Sequence, residues 1–472
     1  MVMGHVRILR HYIHTNLLLN ALAEMLLVGI AAYLGYATRY GEFPPFFDLL
    51  SFACLLAFTL VLFTLIMGVQ EAGLREGPMG VLTRTGVAYF LLGTLTMLAF
   101  KEMLPGLFYG NWILVFSEII AFVLVSLYRW NSSHFLNEDF LKRRVVVLGT
   151  GQRALRIANR MRRRSDRRAF VLLGFLQLGE EEDLVGEYND KVLSYPADGL
   201  EKFCQDNKVD EIVVAVSDRR AGAGTPIPYN ELMEIRLSGV NVCEVQDFIE
   251  REACKIDVDL LQRNWLVFSD GFISNRFRRF NKRAFDIFVA STLFVAFLPV
   301  MLLTVLAVWL ADRGAGPIFY RQRRVGEAGK VFEVIKFRTM QPDAEESGEV
   351  WADHNDPRTT SIGGFLRKSR LDELPQLVNV LRGEMSMVGP RPERPRLVEM
   401  LSNEIDYYDQ RHRITPGLTG WAQLCYPYGA SVEDSKQKLQ YDLYYLKNHS
   451  LLLDIIIMFQ TVEVVLVGEG AR

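Results

Sequence analysis

Long apolar stretches separated by short polar segments dominate the first part of the chain. They cover residues 14–37, 47–69, 80–101 and 111–128, and each is long enough to cross a hydrocarbon core of about 30 Å as a helix. Basic residues lie before the first stretch, between the second and third, and after the fourth, whereas the first connection carries only Arg39. By the positive-inside rule, residues 1–130 are predicted to form a four-helix transmembrane bundle with both ends in the cytoplasm.

A fifth apolar run, at residues 287–310, has basic residues on both sides and contains Pro299 near its middle. A single crossing would place one basic flank outside the cell, which the positive-inside rule disfavours. Because proline removes one helical hydrogen bond and clashes with the preceding turn, Pro299 offers a point at which the helix can turn back. We therefore expect residues 257–312 to form a linker and a re-entrant membrane helix, with a plain crossing as the alternative.

Between these membrane segments, residues 131–256 have the pattern of an α/β domain. Residues 144–148 predict a buried strand, and Gly149 and Gly151 follow in a tight turn before a helix, as in a Rossmann-like unit. Further strands are expected at 170–176, 211–216 and 240–245. Ala154 replaces the third glycine of the dinucleotide fingerprint, and no Tyr-x-x-x-Lys pair occurs between residues 144 and 254. The pattern therefore supports the fold more than it supports NAD bound at Gly149 and Gly151, and a scaffold or regulatory role is the simpler interpretation.

In the C-terminal part, Asp372 and Glu373 stand side by side directly before a predicted helix. Pro375 suits the first helical turn, and apolar residues recur at helical spacing from 374 to 381. The unpaired N–H groups and the dipole of a helix start favour ionised carboxylates and a phosphate bound beside them. A charged helix start without further function is the alternative, since acids are also ordinary first-turn residues.

The composition narrows the classes of function. The chain has 472 residues, of which half are hydrophobic, and its formal net charge of -2 argues against a strongly basic body for nucleic acid. Its five cysteines are widely spaced and include no Cys-x-x-Cys pair, so neither a disulfide framework nor a zinc site is indicated.

Five ordered motifs lie around the paired carboxylates, at residues 336–340, 356–358, 364–367, 385–393 and 415–423. With the carboxylates, these motifs resemble the bacterial sugar transferase family of monotopic polyprenyl-phosphate phosphoglycosyl transferases, over roughly residues 276–472. The four membrane helices and the middle domain are similar to those of the long family members, which initiate exopolysaccharide or O-antigen synthesis. The resemblance implies a mainly α-helical catalytic domain at residues 313–472.

The resemblance also implies roles for individual residues. Asp372 would be the nucleophile and form a covalent aspartyl-phosphosugar, Glu373 would hold a Mg²⁺ ion, and cations would stabilise the transferring phosphate. The catalytic set is then Asp372, Glu373, Lys336, Arg338 and Arg367, and the substrate-binding set is Arg321, Arg358, Arg391, Glu393 and Asp442.

Several alternatives stay open for these side chains. Arg321 and its neighbours suit anionic lipid headgroups equally well. An ion pair of Arg391 with Glu393 or Glu384 in a rigid turn is the structural alternative to phosphate binding. The face that carries Asp442 would also suit exposed salt bridges. The apolar segment at residues 451–467 is expected to be an interfacial or core-packing helix.

The expected partners are a UDP-sugar and a polyprenyl phosphate, most simply undecaprenyl phosphate, with a homodimer possible and no nucleic acid. The expected location is the bacterial cytoplasmic (inner) membrane, with the catalytic domain on the cytoplasmic side. Two other functions compete with this hypothesis. One is a membrane-anchored NAD-dependent nucleotide-sugar dehydratase or epimerase, and the other is a non-catalytic membrane scaffold or sensor.

Overall fold

A computed structural model of the chain describes residues 5–8, 11–67, 69, 77–135, 142–160, 170–178, 185, 191–216, 227–261, 269, 272, 276–311, 316–341, 359–426, 429 and 431–467. The chain divides into two compact units. The first comprises Met1–Ile8 and Tyr12–Ala253, and the second comprises Leu9–His11 and Cys254–Arg472. Apolar helices of membrane-spanning length occur in both.

The N-terminal helices follow the predicted apolar stretches closely. Within the described residues, this part contains four segments that are long and apolar enough to cross a membrane. The third is interrupted by a π-helical segment, Val87–Gly93, and a short 3-10 turn, Pro105–Leu107, precedes the fourth. The elements are β1 (His5–Ile8), β2 (His11–His14), α1 (Thr15–Tyr40), α2 (Phe46–Ile66), α3 (Gly77–Gly86), α4 (Thr94–Met103) and α5 (Asn111–Phe135).

A buried ion pair links the first and last of these membrane helices. Arg129 of α5 donates from Nε and Nη2 to the two carboxylate oxygens of Glu24 in α1, at 2.8 and 2.7 Å. Its Nη1 donates to the Thr85 hydroxyl at 2.6 Å. Removing either charged partner would leave the other buried without compensation, so the pair holds α1 against α5. The hydropathy pattern did not single out Glu24.

The middle of the chain forms the predicted parallel sheet, with a fifth strand, Val192–Ser194, that was not predicted. The strand order is β5-β4-β3-β6-β7, and each neighbouring pair is parallel. Gly149 (φ 114°) turns the chain after β3 and donates its N–H to the Leu176 carbonyl at 2.8 Å. The elements are β3 (Arg143–Leu148), α6 (Gln152–Arg160), β4 (Phe170–Gln177), β5 (Val192–Ser194), α7 (Leu200–Asp206), β6 (Glu211–Val214), α8 (Tyr229–Leu237), β7 (Asn241–Glu244) and α9 (Val245–Ala253).

The second unit contains one long apolar helix, α10 (Arg276–Ala311). Its 36 residues make it the longest helix described, about 54 Å at 1.5 Å per residue. Pro299 lies inside the helix, so the interruption expected there is not present, because proline removes a single hydrogen bond and the flanking turns keep theirs. The re-entrant course through the membrane stays a prediction.

Most of the remaining elements described in the second unit are helices, and two of these helices have 17 residues each. An antiparallel hairpin and a two-stranded parallel pair are its sheets in the described residues. Four 3-10 turns occur at Val258–Leu260, Glu327–Gly329, Leu371–Glu373 and Tyr408–Arg413. The elements are β8 (Phe319–Val325), β9 (Val331–Phe337), α11 (Gly363–Lys368), α12 (Gln376–Arg382), β10 (Ser386–Val388), α13 (Pro395–Glu404), β11 (Gly417–Thr419), α14 (Trp421–Cys425), α15 (Val432–Asn448) and α16 (Leu451–Val467).

Candidate active site

The paired carboxylates lie in a 3-10 turn that leads into α12. Arg370 (φ 59°) precedes the turn in the left-handed region, which redirects the chain after α11. Pro375, expected in the first helical turn, lies one position earlier, directly before α12. Gly383 (φ 86°) follows the end of the helix with the positive φ that favours glycine. Asp372 is 7% exposed. The predicted start of a helix beside the two acids is therefore confirmed.

Three cationic side chains lie close to the carboxylate of Glu373. Its Oε1 lies 3.0 Å from Lys336 Nζ, 3.1 Å from Arg391 Nη2 and 3.9 Å from Arg370 Nη1. Burial alone would raise the pKa of this carboxyl group. The three cations outweigh that effect and hold the pKa of Glu373 well below its usual range. Glu373 is therefore a permanent anion within a cationic cluster.

Asp372 has the opposite electrostatic character. Burial raises its pKa to about 6, and the negative charge of Glu373 acts in the same direction. Lys336, Arg370 and Arg367 oppose this shift. The expectation that the helix start favours the charged form of both acids therefore holds for Glu373 and is wrong for Asp372, whose raised pKa still leaves it mostly ionised at pH 7. Burial and neighbouring charges, rather than the seven-residue helix α12, cause the two shifts. The two neighbours differ in their readiness to take a proton, which adjacent acids with separate roles require.

The β8–β9 hairpin decides which of the predicted cations reach this cluster. Tyr320 is paired with Lys336, and Arg321 is paired with Ile335. Because strand side chains alternate between faces, Arg321 and Lys336 lie on opposite faces of the hairpin. Arg321 is exposed, and its Nη1 lies 3.6 Å from Glu333 Oε2. It does not join the cluster around Glu373, and its role in substrate binding stays a prediction.

Asn379 attaches α12 to β9. Its side-chain amide donates to the Glu333 carbonyl at 2.7 Å and to Glu384 Oε2 at 2.7 Å, and its Oδ1 accepts from Ile335 N–H at 3.1 Å. The fully buried side chain thus forms hydrogen bonds to the β9 backbone of the kind that a neighbouring strand would form. Because Lys336 is the next residue of β9, this contact fixes the distance between Lys336 and the acidic turn. Sequence reasoning missed Asn379.

The other two predicted catalytic cations differ in their surroundings. Arg367, at the end of α11, donates from Nε to the Thr339 hydroxyl at 2.9 Å. Arg338 is buried, and its guanidinium group lies where the Cβ atom of any other residue at position 316 would be, so a larger residue there would displace the guanidinium group. The Lys336–Met340 motif therefore directs Lys336 to Glu373 and buries Arg338.

A second buried cluster holds the loop that carries Arg391. Arg411 donates from Nη1 to the Tyr408 hydroxyl at 2.6 Å and from Nη2 to the Arg391 carbonyl at 3.0 Å. Its Nη2 also lies 2.9 Å from Asp442 Oδ2. Burial raises the pKa of Asp442 to about 6, although Arg411 opposes this. Asp442 is therefore an interior partner of Arg411, so the exposed salt-bridged face considered for it is excluded.

Glu393 belongs to the adjoining part of this loop. Its carboxylate lies 3.4 Å from Arg324 Nη1, and its carbonyl accepts the Val325 N–H at 2.9 Å. Arg391 is paired with Glu373, which replaces the ion pair with Glu393 or Glu384 that sequence reasoning considered. The loop therefore links the two clusters, because the Arg391 carbonyl contacts Arg411 and the Arg391 side chain contacts Glu373.

Glycines allow the strands before and after this loop to meet. A side chain on Gly389 or Gly417 would collide with the backbone of the other segment. Gly389 N–H donates to the Thr419 carbonyl at 2.9 Å, and Gly417 N–H donates to the Pro390 carbonyl at 2.9 Å. The close approach explains why the Gly389–Glu393 and Thr415–Gln423 motifs occur together.

The other predicted residues fall elsewhere. Arg358 lies outside the described residues. Gly149 and Gly151 belong to the first unit, whereas the acidic turn belongs to the second. In α16, Leu453 and Ile457 are fully buried, so that helix packs into the core. Arg411 was not predicted as a site residue, and its only sequence signal was a position among other basic residues.

The fit of a Mg²⁺ ion rests on Glu373. Among the described residues, no group of three or more His, Cys, Asp or Glu side chains could hold a metal ion by itself. Mg²⁺ is commonly bound by one or two carboxylates together with substrate phosphates and water. Glu373 is ionised, and Asp372 is next to it. The residues thus fit an ion that arrives with a phosphate ligand, and they do not form a protein-only site.

The C-terminal part of the chain is similar in sequence to known proteins. Residues 277–468 match the family model described as bacterial sugar transferase. A UDP-N-acetylgalactosamine-undecaprenyl-phosphate N-acetylgalactosaminephosphotransferase of Aeromonas hydrophila is 38% identical over 241 residues, which are 51% of this chain and 56% of the relative. The UDP-glucose:undecaprenyl-phosphate glucose-1-phosphate transferase of Escherichia coli (strain K12) is 40% identical over 195 residues, 41% of this chain and 42% of the relative. The chain thus spans about half the length of these two relatives.

A third relative extends the likeness through the N-terminal half. An uncharacterized sugar transferase of Haemophilus influenzae is 30% identical over 399 residues, which are 81% of this chain and 81% of the relative. Since this match reaches well beyond the segment covered by the family model, and that segment contains the acidic turn with its cations, the chain belongs to the bacterial sugar transferase family.

Proposed function

We propose that this protein transfers a sugar 1-phosphate from a UDP-sugar to polyprenyl phosphate, with release of UMP, at the start of exopolysaccharide or O-antigen synthesis. The observation that carries the proposal is the position of a buried Asp372, still mostly ionised at pH 7, beside a Glu373 that forms ion pairs with Lys336 and Arg391. Relatives named as undecaprenyl-phosphate sugar phosphotransferases support the same reaction class.

In the first step, a carboxylate oxygen of Asp372 attacks the sugar-linked phosphorus of the donor. The bond from that phosphorus to the bridging oxygen breaks, and UMP leaves with the electron pair. The sugar phosphate remains on Asp372 as an acyl phosphate, the strategy used by aspartyl-phosphate enzymes. Asp372 suits this role because its pKa of about 6 leaves it mostly ionised at pH 7.

The cations around the turn counter the charge of the diphosphate. Lys336 and Arg391 contact Glu373, and Arg367 lies close enough to influence the pKa of Asp372. Fixed cations of this kind stabilise charge that develops on a transferring phosphoryl group without reorganising. A Mg²⁺ ion held by Glu373 would, when bound, neutralise further charge on the donor diphosphate.

In the second step, an oxygen of polyprenyl phosphate attacks the phosphorus of the acyl phosphate. The bond to Asp372 breaks, the carboxylate is regenerated, and the lipid carries the sugar diphosphate. This step requires the acidic turn to lie beside a membrane surface. The 36-residue apolar helix α10, taken as re-entrant from the cytoplasmic side of the inner membrane, would give the second unit that position.

The test uses the full chain in detergent with Mg²⁺, undecaprenyl phosphate and a panel of UDP-sugars, and it follows UMP release and labelled lipid product. Asp372→Asn should lower both by a factor on the order of a thousand or more, as removal of a nucleophile does. Asp406→Asn changes an exposed aspartate of the same unit and should retain native rates. A native chain inactive with every sugar, or an active Asp372→Asn variant, would refute the proposal.

A further inference from the structure

Three polar residues near the start of α10 hold three different elements of the second unit. Arg283 makes the most directed of these contacts. Its Nη1 donates to the Val380 carbonyl at 2.6 Å, and its Nη2 donates to the Leu381 carbonyl at 2.7 Å. Both carbonyls belong to the last turn of α12, where carbonyls lack part of their helical hydrogen bonding. The Val380 carbonyl also accepts the Gly383 N–H at 3.0 Å, so Arg283 adds a second donor at this helix end. One guanidinium group thus caps the helix that begins directly after the acidic turn.

The neighbouring residues of α10 make the other two contacts. Asp286 Oδ1 accepts the Met387 N–H at 3.1 Å, in the strand that leads into the Arg391 loop. Lys282 Nζ lies 2.9 Å from Asp454 Oδ2 in α16. The base of α10 is therefore attached to α12, β10 and α16 through side chains that occupy little more than one helical turn.

These contacts lie where the charged part of α10 ends. Residues 287–311 contain no charged side chain, and Ile287 and Phe288 are exposed at 42% and 70%. Arg283 is one turn before them. Since α12 is only seven residues long, about 10 Å, Arg283 connects the acidic turn to the uncharged part of α10 through a short, rigid path.

We propose that Arg283 is a positioning residue that sets the distance between Asp372 and the phosphate of the membrane-bound acceptor. This inference rests on the proposed function. Asn379 holds α12 to β9 independently of α10, so the Lys336–Glu373 pair persists when Arg283 is removed. When Arg283 is replaced, the half-reaction with the UDP-sugar should therefore keep its rate, and transfer of the sugar phosphate to the lipid should slow.

The experiment compares Arg283→Gln and Arg283→Lys with Arg279→Gln in the full chain reconstituted in lipid nanodiscs. Arg279 is an exposed arginine one turn earlier in the same helix, so its variant removes the same charge beside the membrane. The donor half is measured as exchange of labelled UMP into UDP-sugar without acceptor. The lipid half is measured as transfer to undecaprenyl phosphate at saturating donor. Hydrogen exchange of the peptide 376–385 reports the cap itself and needs no activity.

Arg283→Gln should lower lipid transfer at least tenfold, keep UMP exchange within about threefold of native, and speed hydrogen exchange in the 376–385 peptide alone. Arg283→Lys should recover part of the transfer, because lysine keeps the charge but cannot reach two carbonyls with a planar fork. Arg279→Gln should resemble the native chain in all three readouts. Unchanged hydrogen exchange in the peptide, or a parallel fall of both half-reactions, would overturn the inference. A native chain without UMP exchange would refute the proposed function, and the hydrogen-exchange comparison would still decide whether the cap exists.

Discussion

The charge state of Asp372 should control the first half-reaction through pH. Its pKa is raised from 3.8 to about 6, and a shift of about two units corresponds to about 3 kcal/mol against the charged form in the folded protein. With a pKa of about 6, roughly nine tenths of Asp372 is ionised at pH 7 and roughly one tenth at pH 5. The rate of intermediate formation should therefore fall about tenfold between pH 7 and pH 5, because only the carboxylate attacks.

Two substitutions should move this profile in opposite directions. Lys336 lowers the pKa of Asp372 and Glu373 raises it. Lys336→Gln should consequently shift the midpoint of the profile above pH 6, and Glu373→Gln should shift it below. The variants are compared without added Mg²⁺, so that loss of an ion from Glu373 does not enter the comparison. The direction of each shift is independent of how much the maximal rate falls, so a variant with low activity is still informative. Glu333→Gln, at an exposed acid on the outer face of the hairpin, should leave the midpoint in place.

The assay is a rapid-quench measurement of the UMP burst from labelled UDP-sugar without lipid acceptor, from pH 5 to pH 8. The burst isolates the first half-reaction from acceptor binding and product release. A burst rate that is flat over this range would refute the reasoning, and so would a shift of both variants in the same direction. Either result would mean that ionisation of Asp372 does not limit the attack.

Three further predictions concern stability, followed by thermal and denaturant unfolding. Arg411→Gln leaves Asp442 buried without its partner, which should cost about 3–5 kcal/mol at pH 8. The folded-state pKa of Asp442 is already raised to about 6, so stability falls as pH rises between its unfolded value near 4 and its folded value. The loss should therefore be clearly smaller at pH 5, and an equal loss at both pH values would count against this explanation. Asn379→Ala removes three buried hydrogen bonds and should cost about 2–4 kcal/mol, whereas exposed Asn403→Ala should change stability by less than about 0.5 kcal/mol. Gly383→Ala places a Cβ at φ 86° and should cost about 1–2 kcal/mol, and a neutral result would show that the end of α12 relaxes.

The polar and apolar pattern predicted the separate elements well because each element reflects local physical chemistry. Stretches long enough for a bilayer became α1 to α5, and alternating strands and helices became the parallel sheet. The helix after Asp372 and Glu373 follows from Pro375 and the apolar spacing. Pro299 is the exception, since a helix tolerates one missing hydrogen bond.

The pattern could not assign the partners of individual charges. From the sequence, the paired carboxylates could have been neighboured equally well by Arg321, Arg324 or Lys336. The register of the hairpin places Arg321 on the opposite face from Lys336, and Lys336 contacts Glu373. The pairing of Arg411 with Asp442 joins residues 31 positions apart on different elements. Burial determines pKa shifts, and burial depends on what packs around a residue.

The sequence by itself determined the membrane stretches, the parallel sheet domain and the adjacent acids at a helix start, because hydrophobic spacing and turn chemistry act over a few residues. Only the tertiary structure decided that Asn379 attaches α12 to β9 and that Arg283 of α10, 97 positions before Val380, caps α12. These contacts depend on distances between elements that are far apart in sequence, and no local pattern records such distances. The different protonation of Asp372 and Glu373 arises from the same cause, since each acid owes its charge to neighbours that the fold brings to it.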